Sequence, residues 1–514
     1  MMVHELFRAA AYLYPGKTAV VGHTGRLTYR QLEGEAFRLA AELRRLGARE
    51  GDRVAVMMPN SAEAAVTIWA VLAARCVLVP LHAAARAETL PPVIRDAEPR
   101  WLITGGELVA ALYPVLKDNS GIEGWVAWST VRENLQGVGT HTTAWSLALP
   151  DEPSPMSPAA ATRNVDDLAA LIYTSGSTGE PKGVMLSHAN MSAALRAVNA
   201  YLCLCSRDVV YSALPLSSSY GIYQLILGLV VGATVVLDRS FAFPASSLAI
   251  VAAEKVTAFA GVPTMYAWLA NTATLDQYDL THLRILTSAA AALPLEHAQR
   301  IRERLPHARV FVMYGQTECK RISFLDPDDF DRKPGSVGHG MPYQEHMVVD
   351  ESGAPVPPGG IGELAVHGPH VMRGYWRNAT ETAHKLRPVN GGTELWLHTD
   401  DLFRVDEDGY LFFIGRRDDI LKIGGHKVSP REIEEVLCQM PDVHEAAVVG
   451  MPDPVWGQTA MAHVVLREGA STTEDDVIHY CKARLSAYMV PKSVRFSGDL
   501  PKTESGKIKK RALS

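Results

Sequence analysis

The sequence predicts an α/β fold, in which a large N-terminal domain of parallel-rich sheets flanked by helices precedes a small α+β domain. Short hydrophobic strands alternate with amphipathic helices from residue 28 to about residue 330, which is typical of parallel sheets covered on both faces. From 335 to about 414, short strands between Gly- and Pro-rich turns indicate a β-rich subdomain. The stretch from 417 to 514 has the length and the helix–strand alternation of a separate small domain.

Local signals set the elements in order. Thr28 is predicted to cap a helix that runs to about Leu46 and stops at Gly47. Ser429 is predicted to cap a helix that begins at Pro430. Residues 149–164, rich in Pro, Ser and Ala, predict an exposed connection. Further periodic segments predict helices at 61–74, 108–117, 190–201 and 475–484, and strands at 54–58, 76–80, 101–104, 168–172, 209–214, 256–261, 284–288, 310–314, 446–451 and 460–466.

Composition narrows the class of protein. The chain has 514 residues, of which 47% are hydrophobic and 21% charged, as in a globular protein with a large core. The formal net charge of −6 gives no attraction to nucleic acid, so no nucleic-acid partner is expected. The longest apolar run, 222–237, is broken by Gly228 and Gly232, which predicts a helix, a turn and a strand rather than a membrane span. Scattered cysteines and the absence of a signal-peptide pattern in the first 20 residues predict a cytoplasmic protein.

Residues 173–183, which read Tyr-Thr-Ser-Gly-Ser-Thr-Gly-Glu-Pro-Lys-Gly, directly follow a predicted buried strand. Gly lets the backbone come close to anionic oxygens, and the hydroxyl groups can donate to them, so the stretch favours a phosphate-binding loop. It is not a Walker loop, because Lys182 follows Pro181 and precedes Gly183. A mobile linker has the same composition. The loop alone therefore leaves both interpretations open.

Three later segments carry further candidate groups. Residues 314–318 read Tyr-Gly-Gln-Thr-Glu and follow a predicted strand, so that Glu318 can hold Mg²⁺ and Tyr314 can offer a flat face to a purine. Asp401, in the acidic segment 397–402, can accept hydrogen bonds from two ribose hydroxyls, with Arg416 supporting it. Lys507 follows a glycine on a predicted turn near residue 514. Taken singly, the first segment is more often only a turn, the second is also consistent with a solvated acidic loop, and a basic tail like the third is usually just solvated charge.

In this order and spacing, the four segments resemble the adenylate-forming superfamily, which comprises acyl-CoA synthetases, adenylation domains of nonribosomal peptide synthetases, and luciferases. The similarity runs over essentially the whole chain. It implies an ATP-dependent carboxylic acid ligase that activates a fatty or aryl acid as acyl-AMP, releases pyrophosphate, and transfers the acyl group to a thiol. The implied cofactors are ATP and Mg²⁺, and the acceptor is CoA or a phosphopantetheine. Residues 1–416 would hold ATP and the acid, and residues 417–514 would form a mobile domain.

The resemblance also assigns roles to single residues. Lys507, Thr317 and Glu318 would be catalytic, and Glu318 would also bind the metal. Asp418 would be the hinge between the domains. The ATP or AMP contacts would come from Thr174, Ser175, Gly176, Ser177, Thr178, Gly179, Lys182, Ala289, Ala290, Ala291, Tyr314, Gly315, Gln316, Asp401 and Arg416. The thiol tunnel would be lined by Gly424, Gly425 and His426, and the acyl pocket by Ser218, Tyr220, Gly221, Val262, Pro263 and Ser288.

Departures from the family pattern occur at the acyl site, at the segment that covers the adenine, and in the ribose motif. Ser217 and Ser218 replace an aromatic–His pair, while Ala289 and Asp400 each stand where glycine is usual. Residues 211–237 contain no Asp to pair with an α-ammonium group, which disfavours an amino acid. The predicted pocket wall is mostly small and apolar and favours an uncharged fatty or aryl acid of moderate size.

Alternatives remain open at this stage. CoA is the favoured acceptor, but a stand-alone ligase could instead load an acyl or peptidyl carrier protein, because the chain contains no carrier domain of its own. A non-catalytic homologue that senses acyl or nucleotide ligands is disfavoured by Lys507, Glu318 and Asp401. A luciferase-like oxygenase shares the first half-reaction, and no residue excludes it.

Overall fold

The computed structural model describes residues 1–86, 89–116, 121–128, 142–147, 164–175, 180–502 and 508–513. Its helices are α1 (Val3–Leu13), α2 (Tyr29–Arg45), α3 (Ala62–Ala73), α4 (Pro91–Ala97), α5 (Gly106–Leu116), α6 (His188–Leu202), α7 (Ser219–Val230), α8 (Pro244–Ala253), α9 (Pro263–Asn271), α10 (Leu295–Arg304), α11 (Ala379–Lys385), α12 (Pro430–Cys438) and α13 (Glu474–Lys482).

The strands alternate with these helices along the first part of the chain. They are β1 (Thr18–Gly22), β2 (Gly25–Thr28), β3 (Arg53–Met57), β4 (Val77–Leu81), β5 (Trp101–Gly105), β6 (Gly124–Trp128), β7 (Thr142–Trp145), β8 (Leu168–Ser175), β9 (Pro181–Ser187), β10 (Val209–Ser212), β11 (Thr234–Leu237), β12 (Ala258–Gly261), β13 (Ile285–Ser288), β14 (Arg309–Tyr314), β15 (Ser323–Leu325), β16 (His339–Gly340), β17 (Glu345–Val349), β18 (Ile361–His367), β19 (Leu386–Arg387), β20 (Trp396–Val405), β21 (Leu411–Arg416), β22 (Leu421–Ile423), β23 (His426–Val428), β24 (Val443–Asp453), β25 (Gly457–Leu466) and β26 (Ser493–Phe496).

The largest sheet has the strand order β16-β15-β14-β13-β12-β10-β11-β1-β2. Its central strands, from β14 to β1, are parallel, and antiparallel pairs close both edges. Parallel strands need crossover connections, and here α7, α8, α9 and α10 supply them. The carboxyl ends of β10, β12, β13 and β14 therefore lie side by side, so the loops that follow these strands meet at one edge.

A second sheet has the order β7-β6-β5-β3-β4-β8-β9 and is parallel except for its last pair. That pair, β8 and β9, is an antiparallel hairpin. The predicted α/β fold is confirmed by these two sheets and by the helices between their strands. Strand β8 is longer than predicted and extends to Ser175, so the first part of the predicted phosphate loop is strand.

Two further sheets are mainly antiparallel. One consists of β17-β18-β20-β19, with β21 paired to β20, and coincides with the stretch of short strands and Gly/Pro turns. The other consists of β23-β22-β25-β24, with β26 parallel to β25, and has its own core running from Leu421 to Met489. The main core extends from Val3 to Leu411. The domain boundary at 416/417 stays a prediction, and the separate cores are in line with it.

Several local predictions are confirmed. The Thr28 hydroxyl accepts a hydrogen bond from the Gln31 amide at the start of α2, and Gly47 follows the helix with φ of +104°. Gly232 has φ of +82° and separates α7 from β11 as predicted. Ser429 precedes α12, but it does not cap the helix with its side chain, because its hydroxyl donates to the Ile414 carbonyl instead.

Two other predictions concern long segments. The exposed connection predicted at 149–164 lies outside the described residues except for its last position. No helix in the described ranges has both the length and the apolar character that a membrane crossing requires.

Candidate active site

A cluster around Asp401 forms the centre of the candidate site. Tyr314, the last residue of β14, donates its hydroxyl to Asp401 Oδ2 at 2.5 Å, and Gln316 Nε2 donates to the same oxygen at 3.0 Å. Gln316 Nε2 also contacts the Thr399 carbonyl oxygen at 2.8 Å. Arg416, the residue paired with Asp401 across β20 and β21, places Nε 3.8 Å from Oδ1. The structure thus brings together four residues that the sequence predicted for nucleotide binding.

Burial and the neighbouring hydrogen-bond donors have opposite effects on the pKa of Asp401. Burial raises the pKa of its carboxyl, while the Arg416 charge and the hydrogen bonds from Tyr314 and Gln316 oppose that rise. Arg416 is largely exposed and its guanidinium reaches the carboxylate from the solvent side. A carboxylate fixed from both sides can accept hydrogen bonds from a pair of vicinal hydroxyls.

Glu363 contacts the strand that carries Asp401, and the sequence did not indicate this role. Its Oε1 accepts a hydrogen bond from the Asp400 amide at 2.9 Å, and its Oε2 lies 3.2 Å from His398 Nδ1 and 3.0 Å from an Arg387 nitrogen. Burial alone would raise the pKa of Glu363, but the bonds from His398 and the Asp400 amide outweigh it and hold the pKa at about 2. Glu363 is therefore an anchor for the strand that carries Asp401.

Asp400 shows how the chain accommodates a departure from the family pattern. It has φ of +58°, a left-handed conformation that glycine adopts freely and that Asp tolerates better than most residues. Its carboxylate forms an ion pair with Lys385 at 2.6 Å. Lys385 lies at the end of α11 and also donates to the His398 carbonyl at 3.2 Å. Asp400 thus faces α11, whereas Asp401 faces Tyr314.

The candidate metal ligand Glu318 is buried, and its Oε1 accepts a hydrogen bond from the Tyr375 hydroxyl at 2.7 Å. Its neighbour Thr317 lies 3.3 Å, hydroxyl to hydroxyl, from Ser219 at the start of α7. Mg²⁺ is commonly held by one or two carboxylates together with substrate phosphates. Within the described residues no group of three or more His, Cys, Asp or Glu side chains converges on a metal position. The single oriented Glu318 carboxylate fits an ion shared with phosphates.

The predicted phosphate loop spans the β8–β9 hairpin. Thr174 in β8 lies opposite Lys182 in β9, and Ser175 lies opposite Pro181. Lys182 forms an ion pair with Glu381 on α11, a partner that the sequence analysis missed. The four remaining predicted residues of the loop, Gly176, Ser177, Thr178 and Gly179, lie outside the described residues. The described part of the hairpin therefore places Lys182 and the Thr174 hydroxyl on adjacent strands.

The segment predicted to cover the adenine follows β13. Ala289 is buried, Ala290 is partly buried, and Ala291 is exposed. Ala290 has φ of +76°, which is a strained conformation for a residue with a Cβ. Strain of this kind is often found where a fold holds a binding segment in place.

The residues predicted for the acyl pocket at the start of α7 also stabilise the local fold. The Ser218 hydroxyl caps α7 by accepting a hydrogen bond from the Gly221 amide at 3.0 Å, and it also donates to the Pro215 carbonyl at 2.8 Å. A Cβ on Gly221 would lie 2.2 Å from the same carbonyl oxygen, so only glycine fits there. Tyr220 is buried, and its hydroxyl lies 2.9 Å from the Thr287 carbonyl oxygen.

The other predicted acyl residues lie at neighbouring strand ends. Val262 and Pro263 begin α9 after β12, and Ser288 ends β13. Ser288 is 1% exposed, and its hydroxyl has no hydrogen-bond partner among the described residues. Leaving a buried hydroxyl without a partner costs free energy in a folded protein. Ser288 is therefore a position where a ligand could supply the missing hydrogen bond.

Two buried cations beside these residues were missed by the sequence analysis. Lys320 and Arg321 follow Glu318 closely and are 6% and 3% exposed. Gly315 lets the loop fold back, since a Cβ there would lie 2.6 Å from the Lys320 carbonyl oxygen. Burial, together with the neighbouring Arg321 charge, lowers the pKa of Lys320 well below its usual value. The basic pair following the predicted metal ligand was the signal that could have revealed it.

The predicted hinge and thiol-tunnel residues lie at the start of the C-terminal unit. Asp418 is exposed in a short 3-10 turn, Arg417–Asp419, directly after β21. Gly424 and Gly425, with φ of +55° and +86°, form the turn between β22 and β23. His426 stacks on Tyr488 with ring centroids 4.1 Å apart. Lys507, the predicted adenylation lysine, lies outside the described residues.

Known proteins are similar to this chain over most of its length. The profile of the AMP-binding enzyme family matches residues 7–376, and that of the AMP-binding enzyme C-terminal domain matches residues 432–507. A feruloyl-CoA synthase from Amycolatopsis sp is 35% identical over 506 residues, which cover 97% of this chain and 96% of the relative. A long-chain-fatty-acid–CoA ligase from Bacillus subtilis (strain 168) is 31% identical over 532 residues, which cover 99% and 94%.

Solved structures agree with this relationship. The anthranilate CoA ligase AuaEII, in complex with anthranoyl-AMP, matches with a TM-score of 0.89 and 27% identity, covering 100% of this chain and 96% of that one. ATP-bound MatB from Rhodopseudomonas palustris matches with a TM-score of 0.86 and 31% identity, covering 100% and 98%. The family resemblance predicted from the four sequence segments is confirmed. The chain belongs to the AMP-binding enzyme family, the adenylate-forming ligases that include the acyl-CoA synthetases.

Proposed function

We propose that the protein activates a fatty or aryl carboxylic acid with ATP and transfers the acyl group to CoA. In the first step, a carboxylate oxygen attacks the α-phosphorus of ATP, the bond to pyrophosphate breaks, and acyl-AMP forms. In the second step, the CoA thiol attacks the acyl carbon and AMP leaves. The observation that carries the proposal is the buried Asp401 carboxylate, which contacts Tyr314, Gln316 and Arg416 beside the loop that carries Glu318.

The nucleotide end of the site would be divided among these groups. Asp401 would accept the ribose hydroxyls, with Arg416 holding its carboxylate in position. Tyr314 would pack against the adenine, and the Ala289–Ala291 segment would cover the opposite face. The Tyr314 hydroxyl already donates to Asp401, so the two contacts would be positioned together. Such preorganisation lowers the cost of ordering the nucleotide.

The phosphates would lie between Glu318, Thr317 and the β8–β9 hairpin. Glu318 would hold Mg²⁺, which when bound would supply positive charge to offset that of the phosphates. Tyr375 keeps one Glu318 oxygen oriented by its hydrogen bond. Lys182 and Thr174 would contact the β- and γ-phosphates from adjacent strands. Because a carboxylate must approach a polyanion, neutralisation of charge at this end provides most of the catalytic gain.

The second domain would complete each half-reaction in turn. Lys507 would bridge the acid and the α-phosphate during adenylation, and Asp418 would be the pivot for the exchange of conformations. The Gly424–Gly425 turn and His426 would then line the channel for the pantetheine arm. Closure over the intermediate would also exclude water, which otherwise hydrolyses an acyl-adenylate.

CoA is proposed as the acceptor because the relatives described above are named CoA ligases and synthases. The proposal is tested by ATP–pyrophosphate exchange over a panel of acids, followed by thioester formation with CoA or with purified carrier proteins. We expect acid-dependent exchange, and thioester with CoA. Thioester with a carrier protein alone would replace the acceptor in this proposal. Absence of exchange with every acid would instead favour a non-catalytic binding protein.

A further inference from the structure

Helix α11 connects two strands that carry predicted ATP-binding residues. Glu381, in its first turn, forms an ion pair with Lys182 of β9. Lys385, its last residue, is buried and lies 2.6 Å from the Asp400 carboxylate of β20. Because β9 and β20 belong to different sheets, α11 links the strand of the predicted phosphate lysine to the strand of Asp401.

Hydrogen bonds of the backbone fix the start of α11 relative to β9. The Trp376 amide donates to the carbonyl of Gly183, the residue after Lys182, at 2.8 Å. The Tyr375 amide donates to the hydroxyl of Thr382 in α11, also at 2.8 Å. The first turn of α11 is therefore tied to the strand that carries Lys182 by short contacts through the segment that precedes the helix.

The Lys182 ammonium lies among groups that set its position. Its side chain is 11% exposed, and Nζ lies 5.7 Å from the Tyr375 ring centroid, within range of a cation–π contact. The hydroxyl of the same tyrosine donates to Glu318. The hydrogen bond from Lys182 lowers the pKa of Glu381 below its ordinary value, so this carboxylate is ionised at neutral pH. Tyr375 therefore contacts both the predicted phosphate lysine and the predicted metal ligand.

The pair with Glu381 leaves Lys182 able to bind a phosphate. An ammonium group has three donors on a long, flexible stem, and one contact to Glu381 leaves two donors for ligand oxygens. Holding such a side chain in place before binding removes part of the entropy cost of binding. The Glu381 side chain is 30% exposed, so solvent screens its repulsion of a bound phosphate more than it weakens the short contact to Lys182.

We infer that Glu381 is a positioning residue, which holds the Lys182 ammonium in place for the β- and γ-phosphates of ATP. This inference rests on the proposed ligase function, in which Lys182 contacts those phosphates. Glu381 would touch neither the nucleotide nor the metal and would act only through Lys182. It should therefore matter for ATP, but not for AMP, which lacks both phosphates. Transfer of the acyl group from acyl-adenylate to CoA should be equally independent of Glu381.

Binding of ATP and of AMP, measured by isothermal titration calorimetry with Mg²⁺ present, tests this role. We expect Glu381→Ala to weaken ATP about tenfold, the effect of losing one hydrogen bond to a charged group, and to change AMP less than about twofold. Glu381→Gln keeps an acceptor for Lys182 and should recover part of the ATP affinity. Glu296→Ala is the matched control and should leave both affinities unchanged, because Glu296 also lies in the first turn of a helix, α10, and pairs with an arginine on the exposed surface.

A double variant separates positioning from a general loss of structure. If Glu381 acts through Lys182, Glu381→Ala should weaken ATP no further in the Lys182→Met background. Equal weakening of ATP and AMP by Glu381→Ala, additive losses in the double variant, or unchanged ATP affinity would show that the inference is wrong while the ligase function stands. Exchange of pyrophosphate into ATP tests the ligase function separately. If no acid supports exchange in wild type, that function and the inference that rests on it both fail.

Discussion

Replacement of Glu363 by Gln is expected to destabilise the fold by an amount that depends on pH. The Glu363 carboxylate receives hydrogen bonds from the Asp400 amide, His398 and Arg387, and its pKa falls from 4.5 to about 2. A difference of that size corresponds to about 3 kcal/mol of folding free energy when the group is ionised. Because the folded-state pKa is the lower one, this stability is present above pH 4.5 and is lost as pH falls towards 2.

The pKa shift of Glu363 determines how the destabilisation by Glu363→Gln depends on pH. The difference in unfolding free energy between wild type and Glu363→Gln should be about 3 kcal/mol at pH 7 and about 2 kcal/mol at pH 3.5. Urea unfolding followed by circular dichroism at a series of pH values measures it. Glu345→Gln, at an exposed position of β17 in the same sheet, is the control and should change stability by less than about 0.5 kcal/mol. A difference that stays constant from pH 7 to pH 3.5 would show that the ionised Glu363 carboxylate does not provide this stability.

The same variant has a consequence for the site. Glu363 anchors the amide of Asp400, which directly precedes the candidate ribose ligand. We expect Glu363→Gln to raise the KM for ATP several-fold, with a smaller effect on kcat, because ground-state positioning of the nucleotide is loosened. Steady-state kinetics at pH 7, well above the titration of Glu363, provide the measurement. An unchanged KM for ATP would show that the anchor serves stability alone.

Three further predictions concern the strained segment, the metal ligand and the hinge. Ala290→Gly should stabilise the fold by roughly 0.5–1 kcal/mol in urea unfolding, since φ of +76° suits glycine; the loss of stability usual for Ala→Gly would contradict it. Tyr375→Phe removes the hydrogen bond to Glu318 and should slow adenylation about tenfold with little change in the KM for the acid; an unaltered rate would show that Glu318 needs no such support. Asp418→Pro should restrict the 3-10 turn after β21 and suppress one half-reaction more than the other; proportional slowing of both steps would refute the hinge assignment.

The fold was predictable because its signals are local. The amino-acid sequence shows short hydrophobic strands alternating with capped helices. The Thr28 cap and the Gly232 turn lie where this pattern predicts them. Local signals fail where tertiary contacts compete for the same group. Ser429 precedes its helix as predicted, yet its hydroxyl donates to the Ile414 carbonyl, a partner that no local pattern specifies.

The candidate site was predictable only in part. Tyr314, Gln316, Asp401 and Arg416 belong to recognisable motifs, and the structure brings them into contact. By contrast, the residues that hold Lys182 and Glu318 in position come from distant parts of the chain and belong to no recognisable motif. Glu381 reaches Lys182 across 199 residues, and Tyr375 reaches Glu318 across 57. Such pairs depend on how sheets and helices assemble, which periodicity does not encode.

The cations beside the acyl pocket show a different limit. A Lys-Arg pair in sequence is usually exposed, because burying either charge is unfavourable. Only the fold shows that the loop after Gly315 turns back and places Lys320 and Arg321 in the interior beside Tyr220. No local sequence pattern therefore indicated that these two side chains lie in the interior.

We propose that one ATP site, assembled from both domains, forms the acyl-adenylate. It is tested most directly by measuring the two half-reactions separately in wild type and in Lys507→Ala. We predict that the variant loses acid-dependent ATP–pyrophosphate exchange and still forms thioester from CoA and supplied acyl-adenylate at close to the wild-type rate. Equal loss of both half-reactions, or full exchange activity in the variant, would show that Lys507 does not have this role.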